Sequence, residues 1–216
     1  MLRRELLLGG LALSVPGRGF AAPQGAPGQA VQLDSHGRPI WGEPYTHREI
    51  LEAEQRFGLW FPPDLVDLFL KHRLAQGFDW THDEAGIREM LDWPFSAFVT
   101  DVENNGVWPA FWGPKPTTAE ARAAVIRKLL ARAPKLIPIA PYRFVPETPH
   151  RTGNPVFFLF LTDVRLVGAN LQDFVEREYG LEPRGTPMPA ARRIPFWSQM
   201  STLKPPPPPK GFFPSR

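Results

Sequence analysis

The spacing of apolar and polar positions divides the middle of the chain into helical blocks followed by strands. After Thr46, the residues Ile50, Ala53 and Phe57 recur at helical spacing; Thr46 with Glu49 forms a capping box, and Gly58 closes the block. A second block opens at Pro62-Pro63, where a proline suits the first helical turn. It carries Leu65, Leu68, Phe69 and His72 on one face as far as Gly77. Thr81–Trp93 predicts a third helix stopping before Pro94, because the residue preceding a proline is pushed out of the helical region. Phe95–Asn104 predicts a fourth, stopped at Asn105-Gly106. The aromatic loop Trp108–Gly113 follows, and Thr117-x-x-Glu120 predicts a further capping box opening a basic-faced helix to Ala133.

From Leu136 the pattern changes. Leu136–Ile139 predicts a short strand, and Val156–Leu161 with Val164–Val167 predicts a hairpin turning at Thr162-Asp163. Upstream, Asn154 favours a turn and Pro155 fixes the first strand residue. Asn170 caps a last helix, Leu171–Tyr179, ended by Gly180. Helices first and strands later predict an α+β fold, with N-terminal helices packed on a mixed, partly antiparallel sheet.

The two ends differ from this body. Residues 1–21 read as an export signal, with basic Arg3-Arg4, an apolar run from Leu6 to Val15, and small residues at Gly19 and Ala21 that place the cut before Ala22. The apolar run is too short to span a bilayer, and the twin arginines resemble a twin-arginine (Tat) signal. Residues 22–45 are Gly/Pro-rich and aperiodic, an arm whose end Trp41 is placed to pin. The folded domain is expected over 46–202, and 203–216 is a proline-rich tail whose run Pro205–Pro209 favours polyproline II.

Charge follows the same division. Residues 22–182 hold 16 Lys and Arg against 21 Asp and Glu, a net −5, while residues 183–216 hold six Lys and Arg and no acid. The basic pI therefore belongs to the ends, and no nucleic-acid surface is expected on the body. With no Cys, neither disulfides nor thiolate metal sites are expected. None of the five His pairs with another at metal-ligand spacing, and no cofactor-binding fingerprint is present, so no metal or cofactor is expected. Asp101 and Glu103 are two residues apart, a spacing that a helix turns to different faces, which weakens them as a paired acid and base.

Several motifs resemble, in order, those of the SUKH superfamily: Glu54-x-x-Phe57-Gly58, Phe61-Pro62-x-Asp64-Leu65, Trp93-Pro94, Asp101-Val102-Glu103-Asn104 and Phe111-Trp112-Gly113. They continue through Ala133–Ile139, Tyr142-Arg143-Phe144-x-Pro146, Gly153–Phe157, Thr162-Asp163, Gly168-x-Asn170-Leu171 and Ile194–Ser198. That superfamily includes the yeast SMI/KNR-type cell-wall synthesis regulators and bacterial immunity proteins that neutralise toxins. The resemblance implies a non-enzymatic module that binds a protein partner, here a toxin or an envelope protein, with Asp101, Glu103, Trp112, Arg143, Glu147, His150 and Arg151 as candidate contacts. An exported member would meet a toxin acting in the periplasm.

The alternative is an envelope enzyme on cell-wall polysaccharide, using Asp101, Glu103 or Glu147 beside the Trp108/Trp112 loop, since carboxylates next to aromatic platforms serve sugar hydrolysis. The leader gives the first test. Arg3→Lys with Arg4→Lys conserves charge, so a Tat receptor that reads the pair should leave the precursor in the cytoplasm. Mature protein still recovered from the periplasm would exclude that route.

Overall fold

A computed structural model describes residues 41–181, 183 and 185–203. The expected signal with Arg3 and Arg4, residues 22–40 of the arm and the tail after Leu203 lie outside the described residues. The body is α+β, as expected. Helices α1 (His47–Phe57), α2 (Pro63–Phe69), α3 (Glu84–Asn104) and α4 (Ala119–Leu130) precede strands β1 (Leu136–Ala140), β2 (Arg143–Pro146), β3 (Val156–Phe160) and β4 (Asp163–Gly168). Helices α5 (Leu171–Glu178) and α6 (Trp197–Met200) follow. The strands form one sheet in the order β1-β2-β3-β4, and every described pairing is antiparallel.

Strands β1 and β3 are covered on both faces, which is why they read as continuous apolar runs, whereas β4 sets exposed Arg165 beside buried Val164. Ile137, Ile139, Val145 and Val156 join a core with residues of α1, α2 and α5. Their neighbours Leu136, Phe144, Phe157 and Leu159, which point the other way, join a second core with Phe98 of α3, Ile126 of α4 and Trp197 of α6. The arm's end belongs to the body too: Tyr45 is buried, and the Trp41 ring lies 4.5 Å from His72 and 4.8 Å from Tyr179. Ile194, Trp197 and Met200 are fully packed, with the Trp197 indole donating to the Pro134 carbonyl at 2.7 Å.

Five expectations need correction. The two helices expected on either side of Pro94 are one helix, α3. A proline inside a helix removes one hydrogen bond and costs about 3 kcal/mol. Here Met90, Trp93, Pro94, Ala97 and Phe98 are all buried, and the Trp93 indole donates to the Leu159 carbonyl at 3.0 Å, so packing on both sides of the proline holds the helix through it. Helix α2 ends at Phe69, which leaves His72 outside it, half-buried against Trp41; burial, then Lys71, pushes its pKa down. Helix α4 is capped by Thr118, which accepts from the Ala121 amide, so no box forms between Thr117 and Glu120. Strand β2 was not foreseen, being short and bounded by prolines at 141 and 146. Finally, Phe160 pairs with Asp163, so the hairpin turns at Leu161-Thr162, with Leu161 at φ 55 in the left-handed region.

That turn is held from α3. Asp101 is fully buried, and its Oδ2 accepts from the Thr162 amide at 3.0 Å and from the Thr162 hydroxyl, while Oδ1 accepts from Asn105 at 2.6 Å. A left-handed leucine persists only where its surroundings over-determine it, and Asp101 fixes the peptide directly after it.

The approach to α3 is organised by a second carboxylate. Burial raises the Asp79 pKa, but hydrogen bonds from the Thr81 hydroxyl and amide, from His82 and the nearby Arg73 charge outweigh it and bring it to about 2. A depressed folded pKa contributes stability that is present above the unfolded value, roughly 3.9 for Asp, and is lost as pH falls through the folded one. Urea midpoints of the wild type should therefore fall more steeply between about pH 4 and pH 2 than those of Asp79→Asn. Parallel curves for the two proteins would contradict this role.

Candidate functional site

The connection from α1 to α2 is built as a rigid corner. Gly58 takes φ 62 and ends α1; Glu54 then reaches forward, its carbonyl accepting from the Leu59 amide at 3.0 Å and its carboxylate from the Phe61 amide at 2.6 Å. The extended segment alternates. Leu59 and Phe61 are buried in the core and Trp60 between them points outward, with 70% of its surface exposed. Besides Trp60, the large apolar side chains exposed among the described residues are Leu51 and Leu181.

The loop from Glu147 to Gly153 clamps this corner. Glu147 Oε1 accepts from the Trp60 amide at 2.8 Å, His150 Nε2 meets the Phe61 carbonyl at 3.0 Å, and the Gly153 amide donates to Asp64 Oδ2 at 2.8 Å. A carbonyl only accepts, so His150 carries its proton on Nε2 in this arrangement. The His150 ring stands edge-on to the Trp60 ring at 6.0 Å. From the other side, Lys135 Nζ donates to the Gly58 carbonyl at 2.9 Å, and the Glu147 amide donates to the Lys135 carbonyl at 2.9 Å. Exposed Arg151 sits on the same loop.

So Glu147 and His150 are brought together around Trp60, a residue that the sequence pattern does not single out, with Arg151 exposed on the same loop. The other candidates lie elsewhere. Asp101 and Trp112 are 0% and 5% exposed, which corrects their assignment as surface contacts: Asp101 is committed to the hairpin turn, and Trp112 packs against Phe98, Trp108 and Phe111. Glu103 pairs through both oxygens with Arg122, at 2.7 and 2.5 Å, and those bonds hold its carboxyl below the usual range. Arg143 reaches Glu178 at 2.8 Å with its guanidinium over the Phe158 ring. The three carboxylates that the enzymatic alternative invoked are thus engaged one by one, with a turn, with an arginine and with a backbone amide.

Beyond Leu59 the corner borders a cleft of about 430 Å³. Phe57, Leu59, Leu91, Pro94, Phe95 and Trp197 give it an apolar interior, and Arg88, Asp92 and Lys135 supply its charges. Among the described residues no cluster of three or more His, Cys, Asp or Glu is placed to hold a metal ion, and no helix is long and apolar enough to cross a membrane. Comparisons with known families, with curated proteins and with solved structures found no match to the chain.

Proposed function

We propose that this protein is a non-enzymatic, SUKH-type binding module that occludes a protein partner, in the manner of an immunity protein acting on a toxin or an envelope protein, after export to the periplasm or envelope. The observation that carries this reading is Trp60: a large aromatic side chain, 70% exposed, on a segment whose polar groups are tied to Glu54, Glu147 and His150. A rigid exposed tryptophan is costly to leave in water and contributes much when a partner covers it, because little freedom is lost on binding. The order of the motifs supports the family, and His150 stands edge-on to the tryptophan with exposed Arg151 next to it in the chain.

The test uses one substitution. Trp60→Ala removes an exposed ring, so the melting temperature should stay within a few degrees of wild type. A partner captured from the native envelope, then purified, should bind the variant at least tenfold more weakly, since truncating a tryptophan anchor costs about 2 kcal/mol or more. Equal affinity for both proteins would remove the corner as the binding surface, and peptidoglycan turnover by the purified protein would establish the enzymatic alternative instead.

A further inference from the structure

The body from residue 22 to 182 is acidic, with 16 basic against 21 acidic residues, yet the surround of the cleft has the opposite sign. Arg88 and Lys135 lie in the cleft wall, and the Arg127 guanidinium sits 4.5 Å from the centre of the Phe95 ring that forms another part of it. Lys128, in the last turn of α4, and Arg132, just past its end, are also exposed. Against these five basic side chains stand four acids: Asp92 in the wall, Glu84, tied to Arg88 at 2.8 Å, and Glu54 and Glu147 at the corner, whose carboxylates accept from the Phe61 and Trp60 amides. A locally cationic rim attracts a partner of negative potential.

The interior of the cleft sets the rest of the specification. It is lined by aromatic and aliphatic side chains, and the Trp197 indole N–H is already bonded to Pro134. A volume of about 430 Å³ lies in the range of ligand pockets and accommodates one or two apolar side chains rather than a whole helix. The cleft is also continuous with the exposed corner. Leu59 lines it while Trp60, the next residue, points out, and Lys135 both lines it and holds Gly58.

We propose that the cleft receives one or two apolar side chains carried on an acidic segment of the protein partner, with Arg88, Arg127 and Lys135 facing the flanking carboxylates. This deepens, and rests on, the reading of the chain as a protein-binding module. The apolar anchor supplies the affinity that exposed charges cannot, because such pairs are screened over roughly 8 Å at physiological salt. The acidic flanks select the partner and speed its approach.

The probe is a fluorescein-labelled synthetic peptide, Asp-Glu-Asp-Leu-Phe-Glu-Asp-Glu, titrated with the full mature chain in an anisotropy assay at low and physiological salt. Saturable binding is expected, weakened by salt. It should be weakened tenfold or more when serines replace the leucine and phenylalanine, or when the protein carries Arg88→Ala with Arg127→Ala. Both arginines are exposed, and a melting curve matching wild type confirms that the double variant is folded. On the wild type, the NMR signal of the indole N–H of Trp197, a residue that lines the cleft, should shift with the peptide. No saturable binding, binding indifferent to the serine replacement, or an unmoved Trp197 signal would overturn the proposal. So would tighter binding of a twelve-base oligonucleotide or of phosphatidylglycerol vesicles at the same residues. Partner binding that depends on Trp60 but survives Arg88→Ala with Arg127→Ala unchanged would remove the cleft and leave the binding role intact. Partner binding indifferent to Trp60→Ala would remove the corner as the binding surface, and peptidoglycan turnover by the purified protein would remove the binding role itself.

Discussion

A carboxylate with no access to solvent must find its donors inside the protein, and Asp101 finds them on two elements at once. Asn105 comes from the C-terminal cap of α3, and the amide and hydroxyl of Thr162 come from the tip of the β3–β4 hairpin. The hairpin can then close through Leu161 in a conformation that leucine rarely adopts. It also gives α3 a fixed seat on the sheet, reinforced one face over by the Trp93 indole on the Leu159 carbonyl. With the helix held at Trp93 and at Asp101, the loss of one hydrogen bond at Pro94 between them does not break it.

Much of the rest follows from that seat. The four strands are short because α3 packs on one face of the sheet and α1, α2 and α5 on the other, and the two cores meet through the sheet, through α3, which gives Ile87 to one and Met90 and Trp93 to the other, and at Phe78, which packs against both. The cleft opens where α3 passes the end of α1, beside Pro94, with Trp197 of the last helix forming part of its wall. The corner bearing Trp60 is independent of that contact. It is held by Glu54 from behind and by the loop of Glu147 and His150 in front.

Where local chemistry decides the structure, the sequence showed it. Thr46 with Glu49 forms both halves of its capping box, Gly58 is the left-handed stop, and Asn170 caps α5 by accepting from Asp173. Where tertiary contacts override local preference, it did not. Pro94 reads as a stop unless the burial on either side is known, and Leu161 carries no mark of a turn because the constraint on it comes from Asp101, 60 residues away. The site divides in the same way. Glu147, His150 and Arg151 were legible as a polar loop, but their partner Trp60 was not, because a tryptophan between leucine and phenylalanine reads as core. The available signal was the alternation in Leu59-Trp60-Phe61, which in an extended segment turns the middle residue outward. Asp101 invited a functional reading beside Glu103, and its role is architectural.

Asp101 divides the residues that hold the fold from those left exposed on its surface, because it is the buried group that ties α3 to the hairpin. A double-mutant cycle on unfolding free energy with Asp101→Asn and Thr162→Val measures the contact directly. If the buried carboxylate holds the turn, the two changes should be non-additive, with a coupling of about 1 kcal/mol or more. Effects that add to within roughly 0.3–0.5 kcal/mol would show that the two residues act independently and that something other than Asp101 secures α3 on the hairpin.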